Sequence, residues 1–480
     1  MAVRHLQCKE CKSEYPLQAL YVCERCFGPL EVAYDHSALA GGDSGELRRR
    51  IQAGPQNIWR YADFLPLPDG PPGPSGRLAS RVGLPAGCTP LIRADRLAQR
   101  LGLREVWVKN DAANPTHSFK DRVVSVAVAR ARELGFQTIA CASTGNLANS
   151  VAAHGAALGL ESYVFIPADL EEQKVLATGV YGTKLIAVEG NYDEVNRLCI
   201  ELCAEREWAF VNVNLRPYYA EGSKTLAFEI AEQLGFELPD RIVAPIASGS
   251  LFTKIGRGFE EWREVGLLDG ELPRMNGAQA EGCAPVASAF AAGQDVCRPV
   301  KPDTIAKSLA IGNPADGPYA LELARSSGGG VDSVSDEEIR QGIALLAQTT
   351  GVFTETAGGV SAAVLAKLAQ RGDIDPDERV VLAITGDGLK TLDAVRDTFQ
   401  TYTIAPTVES FEAVEADGLR EAASSPIGGR RTSDRPAHVP IVDRRDLRSA
   451  STLRGVGGIF NPGLARPSTT TVESSREVAV

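Results

Sequence analysis

From Thr89 to about residue 400 the chain alternates two kinds of apolar pattern. Short continuous runs rich in β-branched residues, "EVWVKND", "TIACAS", "ESYVFIP", "LIAVEG", "DRIVAPIA" and "DERVVLAIT", read as strands buried on both faces. Between them lie stretches with helical spacing: "VVSVAVARARELG" ending at Gly135, "NLANSVAAHGAALG" ending at Gly159, and "LFTKIGRGFEEW". Such alternation implies an α/β fold with a parallel sheet covered by helices on both faces. Ligands in such folds bind at the carboxyl ends of the strands.

The flanks differ. Residues 1–35 carry "CKEC" and "CERC", so that Cys8, Cys11, Cys23 and Cys26 form two knuckles with eleven residues between them. Four thiolates at this spacing suit one structural zinc ion, and so short a segment lacks a core of its own. The competing reading, a pair of redox motifs, lacks the βαβ pattern that would follow one. Residues 36 to about 90 read as an extended connector, rich in Pro and Gly from "NIWRYADFLP" onward. From about Ala416 the chain holds ten arginines, seven acids and no lysine among many Ser, Gly and Pro, the composition of a disordered arm.

Composition narrows the function classes. A net charge of −11 argues against nucleic acid or an anionic membrane as partner. The absence of a long apolar run or of a signal-peptide pattern in "MAVRHLQCKE" points to the cytoplasm. Cys88, Cys141, Cys199, Cys203, Cys283 and Cys297 are scattered and read as small core residues.

Candidate chemistry lies where strands give way to loops. "NPTHSFK" presents Lys120 immediately before a helix. "STGN", Ser143 to Asn146, opens another helix and offers backbone N–H groups to an anion such as a carboxylate, although an ordinary Ser or Thr cap explains part of it. Ala247, Ser248, Gly249, Ser250 and Leu251 repeat that geometry and could wrap a phosphate. Thr385 ends a buried strand before two glycines, where its hydroxyl needs a partner. A phosphorylated aldehyde with a pyridine ring would use the amine, the phosphate loop and the hydroxyl, leaving the carboxylate loop for an amino-acid substrate.

Together with "NIWRYADFLP", "GCTPL", "EGNYDE", "AEGSKTLAFE", "IGNPA" and "TGDGLK", these motifs span about 340 residues. Over that length the chain resembles the pyridoxal-phosphate enzymes of the tryptophan synthase β-like fold, and within them the threonine synthases. The resemblance implies fold type II: two doubly wound parallel-sheet domains behind the zinc ribbon of residues 1–35. Residues 36–120 and 225–405 would form the large cofactor domain, 121–224 the small substrate domain and 406–480 a flexible tail. It makes Lys120 the covalent anchor for pyridoxal 5'-phosphate and the group that moves protons at the substrate α-carbon. Asn146 would meet the phenolic oxygen, Ser143, Thr144 and Gly145 the substrate carboxylate, Ala247 to Leu251 the cofactor phosphate, and Thr385 the pyridine nitrogen. The implied reaction takes O-phospho-L-homoserine and water to L-threonine and phosphate. A cysteate synthase using O-phosphoserine and sulfite, or a threonine/serine dehydratase, is the alternative on the same fold. A homodimer is the family expectation.

Two places depart from the family pattern. His117 stands where many relatives carry glycine, either as a packing residue or as a titratable group near Lys120. In "NVNLRPYYAEGSKT" the arginine is displaced, leaving Asn214, Arg216 and Lys224 either as grips on the leaving phosphate or as plain loop side chains.

Overall fold

A computed structural model describes residues 3–67, 83–143, 145–170, 172–190, 192–396 and 398–415. The Pro/Gly-rich stretch 68–82 and the arginine-rich stretch 416–480 lie outside the described residues. Before the latter, Val408–Val414 of the expected tail is helical, capped by the Thr407 side chain on Ser410 N.

Three sheets form. β1 (Val3–Cys8), β2 (Glu14–Tyr15) and β3 (Leu30–Tyr34) make a small antiparallel sheet in the order β2-β1-β3. The runs read as strands then appear as β5 (Glu105–Asn110), β6 (Thr138–Ala142), β7 (Glu161–Pro167), β8 (Lys184–Val188), β10 (Arg241–Pro245) and β13 (Arg379–Ile384). Four strands come in addition: β4 (Leu91–Arg93), β9 (Ala209–Phe210), β11 (Arg274–Ala280) and β12 (Gly330–Val334). The large sheet runs β12-β11-β10-β13-β5-β4, parallel except for β4 at its edge, and the smaller one β8-β7-β6-β9 is parallel throughout.

Side-chain alternation explains the continuous apolar runs. In the large sheet Ile242, Ala244, Val381 and Ala383 enter one core, while Val243, Val380, Leu382, Val106 and Val108 enter another. Both faces are covered, so apolar residues follow one another along these strands without alternating with polar ones. The smaller sheet divides likewise, with Ile139, Cys141 and Val164 on one side and Ala140, Ala142 and Phe165 on the other.

The connector is more ordered than its composition suggests. Ile58–Phe64 winds into a 3-10 turn, and Trp59, Tyr61 and Phe64 are buried. Tyr61 and Phe64 pack on Phe228 and Trp262, which are stacked at 4.9 Å. Each such ring pair contributes about 0.5–1.5 kcal/mol beyond burial, enough to draw a polar-looking segment into the core. β11 escaped the pattern reading because "RMNGAQA" lacks β-branched residues. Its Gly277 is dictated by close approach, since a Cβ there would lie 2.2 Å from Ile246 Cδ1.

No helix among the described residues is long and apolar enough to cross a membrane.

Candidate active site

In the large sheet β10, β13 and β5 are adjacent and parallel, so their carboxyl ends share one edge. The loops leaving that edge carry Ala247 to Leu251, Thr385, and the approach to Lys120. The second and third are laced together. Phe119 N donates to Thr385 O at 2.9 Å, Asp387 N to His117 O at 3.1 Å, and Ser118 bridges Gly386.

Lys120 is the first residue of the helix Lys120–Glu133, and its two successors lock it in place. Asp121 is buried and accepts from Thr116 N (2.6 Å), Thr116 Oγ1 (2.8 Å) and Ser150 Oγ (2.6 Å), with His154 Nε2 3.4 Å away. Burial pushes this carboxyl up, but these partners outweigh it and hold it below its ordinary range. Arg122, also fully buried, donates to Asp111 (2.6 and 2.8 Å), Glu229 (2.6 and 2.7 Å), Thr89 Oγ1 (3.0 Å) and Thr225 Oγ1 (3.1 Å). Lys109 joins Glu229 at 2.7 Å. Every donor of the guanidinium is therefore satisfied, as its burial demands. The Asp121 set ties Lys120 to the helix of the smaller sheet, and the Arg122 set ties it to the large one.

The Lys120 amine itself is half-buried and lightly held. Nζ donates to Tyr219 Oη at 2.9 Å and lies 4.7 Å from the centre of the Phe119 ring. Asn146, first residue of the helix Asn146–Leu158, is gripped from both ends of its amide. Nδ2 donates to Glu355 at 2.9 and 3.1 Å, and Oδ1 accepts from Lys390 Nζ at 2.8 Å. Lys390 also donates to Thr116 O at 2.7 Å, which brings Asn146 beside the Lys120 loop. Burial raises the Glu355 carboxyl above its usual range and lowers the Lys390 ammonium below its own.

Two helix starts offer unfilled N–H groups. The helices Asn146–Leu158 and Ser250–Glu264 begin at Gly145 and Gly249, neither of which supplies a side-chain cap. Ser143 Oγ accepts from Gly145 N (3.2 Å) and Ala148 N (3.0 Å), leaving the rest of that turn open. Gly249 holds φ +98, and a Cβ there would meet Asp316 O at 2.7 Å, so only glycine lets this loop fold so tightly. Thr144 lies outside the described residues.

The three candidates for a phosphate grip separate. Arg216 is partly exposed, pairs with Asp316 at 2.7 Å and lines a cavity with Ser250, Thr253 and Lys254, so it stands next to the anion loop. Asn214 is a loop staple instead: Oδ1 accepts from Phe210 N (2.9 Å) and Nδ2 donates to Trp208 O (3.0 Å). Lys224 is fully buried, and its ammonium is consumed by Glu221 (2.6 Å) and Glu261 (2.9 Å) under the Tyr34 ring. The Lys224 ammonium has no donor left for a ligand, which corrects the expectation for that residue, and Asn214 spends a hydrogen bond at each end of its amide within its own loop.

His117 adopts φ +60 and is exposed, which rules out a packing role and explains why glycine suits the position. Tyr219, Glu355 and Lys390 went unread in the sequence as site residues. Lys390 ends the motif "TGDGLK" and Tyr219 lies within "NVNLRPYYAEGSKT", whereas Glu355 stood in no such motif.

At the other end of the chain Cys8, Cys11, Cys23 and Cys26 converge, with all Sγ atoms within 4.8 Å of one another and the Cys8–Cys26 and Cys11–Cys23 separations 3.5 Å. Four sulfurs each about 2.3 Å from zinc stand roughly 3.8 Å apart, so the donor set suits that ion. Gly28 is required here, because a Cβ would crowd Cys8 Sγ at 3.0 Å and Cys26 Sγ at 3.2 Å.

A half-buried amine, two helix starts behind glycine N-caps and a buried threonine at a strand end fit a phosphorylated pyridine aldehyde. A buried hydroxyl without a protein partner, Ser118 Oγ, stands two residues from the amine. Residues 82–386 match the family model described as pyridoxal-phosphate dependent enzyme. The chain belongs to that family. Among curated proteins it is 40% identical over 391 residues to a threonine synthase of Methanocaldococcus jannaschii, covering 81% of this chain and 93% of the other. A threonine synthase of Methanosarcina acetivorans is 38% identical, with 87% and 98% covered. Solved structures share the fold at lower identity. The processed threonine deaminase isoform 2 of Solanum lycopersicum superposes with a TM-score of 0.57 at 20% identity, covering 75% of this chain and 96% of its own. Diaminopropionate ammonia lyase of Escherichia coli gives 0.55 at 18%, covering 74% and 92%.

Proposed function

We propose that this pyridoxal-phosphate enzyme is a threonine synthase, converting O-phospho-L-homoserine and water to L-threonine and phosphate by γ-elimination and β-addition of water. The observation that carries the reading is 40% identity sustained over 93% of the length of the M. jannaschii threonine synthase. Pyridoxal phosphate, when bound, supplies an electron sink for charge developing at the substrate α-carbon.

The chain's own residues divide the remaining work. Lys120 anchors the cofactor aldehyde and then moves protons at the α-carbon, held at a fixed point by Asp121 and Arg122. Ala247 to Leu251 hold the cofactor phosphate at the N-terminus of the Ser250 helix. Thr385 would meet the pyridine nitrogen, where a neutral hydroxyl in place of a carboxylate would suit elimination and replacement over transamination. Ser143, Thr144 and Gly145 receive the substrate carboxylate, and Asn146, fixed between Glu355 and Lys390, meets the phenolic oxygen. Arg216 is the remaining cation of the three candidates for the leaving phosphate. The two cysteine knuckles together hold a structural zinc ion, for which metal analysis is expected to return about one per chain.

The test is product analysis on the purified protein with pyridoxal phosphate. Threonine and inorganic phosphate in equal amounts from O-phosphohomoserine are expected, and Lys120→Ala should abolish both turnover and the visible absorbance of bound cofactor. Turnover of O-phosphoserine with sulfite, or keto-acid release from threonine or serine, in place of this reaction would overturn the assignment. Light scattering checks the homodimer expected of the family.

A further inference from the structure

Tyr219 belongs to the short helix Arg216–Glu221, and its reach to Lys120 is set by the residue that follows that helix. At Gly222 a Cβ would lie 2.5 Å from Arg122 O and 2.6 Å from Val123 Cα. Only glycine lets the backbone settle this closely on the Lys120 helix, and that approach puts the phenol opposite the amine. The next residue back, Tyr218, is buried and donates to Gln18 O at 3.0 Å. Arg130 of the Lys120 helix lies against the Tyr218 ring at 5.0 Å and donates to Leu17 O at 2.6 Å. Both helices are thereby pinned to one loop of the cysteine-bearing segment, and the 2.9 Å contact between Lys120 Nζ and Tyr219 Oη is fixed from two sides.

The chemistry of the partner matters. Lys224 and Lys109, the fully buried lysines of this region, are paired to carboxylates, which accept hydrogen bonds only. A phenol both donates and accepts. It serves a neutral amine by donating to the nitrogen lone pair, and an ammonium by accepting from it. Lys120 must visit both states if it removes and returns protons.

We propose that Tyr219 is a further catalytic residue, whose hydroxyl holds the Lys120 amine at one position in both its neutral and its protonated form. This rests on the reading of Lys120 as cofactor anchor and base. As Lys120 takes a proton from substrate carbon, its NH2 becomes NH3+ and the hydroxyl hydrogen of Tyr219 swings away, so that Oη accepts. As Lys120 returns that proton, the hydroxyl turns back to donate. Tyr219 neither gains nor loses a proton over the cycle.

The test compares wild type, Tyr219→Phe, Tyr219→His and Lys120→Ala as holoenzymes. Three readouts are taken: visible absorbance of bound cofactor, exchange of the substrate α-proton in D2O by NMR, and kcat and KM as functions of pH. Tyr219→Phe removes only the hydroxyl. It is expected to keep the absorbance and a KM within about twofold, to lower kcat and α-proton exchange together by about 10- to 100-fold, the loss of one hydrogen bond to a charged group, and to displace the pH limb of kcat. Tyr219→His, which restores a group able to donate and accept, is expected to recover part of the exchange and serves alone if the Phe variant folds poorly, with a displaced pH limb as its signature. Wild-type exchange and pH profile in Tyr219→Phe would overturn the proposal, as would an unmoved limb in Tyr219→His. Retention of the absorbance in Lys120→Ala would instead overturn the underlying reading of Lys120.

Discussion

Lys120 and Lys224 both begin helices, both follow motifs of the same family, and both looked from the sequence like groups for an anionic substrate or cofactor. Their surroundings are opposite. Lys224 Nζ is sealed from solvent between Glu221 and Glu261, with the Tyr34 ring above it. Lys120 Nζ is half-buried with a single neutral hydrogen-bond partner among the described residues, while the saturated ion pairs sit on the neighbouring Arg122. The difference separates two uses of buried charge. A fully paired cation fixes the fold, and a sparsely paired amine on a rigid mount stays free to react.

The comparison breaks most visibly at Lys224. Lys224→Met leaves two buried acids facing each other with less compensation, since Lys254 still meets Glu221 and Arg257 still approaches Glu261. Removing one member of a buried ion pair costs about 3–5 kcal/mol, so the variant is expected to melt well below wild type yet to bind pyridoxal phosphate normally per folded molecule. Should stability hold while KM for the phosphorylated substrate rises, Lys224 would belong to the site and the contrast with Lys120 would fail.

Acid probes the same contrast with a smaller effect. Burial pushes Glu221 up, but Lys224 and Lys254 outweigh it and hold it at about 2. Glu229 is likewise raised by burial and lowered further by Arg122 and Lys109, to below the usual carboxylate range. Both groups bind protons more weakly in the folded chain than in the unfolded one. Their contribution to stability is complete above the unfolded carboxylate pKa, about 4.3, and is lost as pH falls through the folded values. Glu355 has the opposite sign: its raised pKa adds stability below about pH 4.3 that is lost as pH rises through the folded value. With two lowered acids against it, the melting temperature is expected to drop steeply on titration from pH 5 to 3. The slope should be shallower in Lys224→Met, because Glu221 has by then lost its nearest cation. Equal slopes would show that Glu221 is not held by Lys224.

Much of this was legible in the chain. The strands of the two parallel sheets announce themselves because both faces are buried, and the strand-end loops follow from where those strands stop. Lys120, Asn146 and Thr385 were readable for that reason. Lys224 was misread because its partners are judged in space: Glu221 is three residues back at the end of the preceding helix, and Glu261 comes from a helix much further along the chain. Tyr219 stood inside "NVNLRPYYAEGSKT", but its reach to Lys120 depends on how closely Gly222 approaches the Lys120 helix, a property of packing that no local pattern carries. The turn at Ile58–Phe64 was hidden by the prolines after it, while its aromatic residues were answering to Phe228 and Trp262, far along the chain.

The smallest effect falls on the loop that presents Lys120. His117 holds φ +60, with its N–H on Asn114 O at 2.8 Å and its carbonyl taking Asp387 N at 3.1 Å, so the left-handed turn is part of the lacing onto the Thr385 loop. A side chain in that conformation costs roughly 1–2 kcal/mol, and glycine would remove the strain. Glycine also gains freedom in the unfolded chain, which takes back roughly 0.5–1 kcal/mol. Because the imidazole is exposed, no packing is lost, and His117→Gly is expected to stabilise the protein by about 0.5 kcal/mol. His117→Asn, which tolerates the same backbone, is expected to be close to wild type in stability. Both variants are expected to keep the wild-type kcat and KM, because the imidazole is exposed and the lacing runs through its backbone. A fall in kcat in both would instead make the imidazole a participant beside Lys120, and the amine's surroundings would then hold more than the phenol.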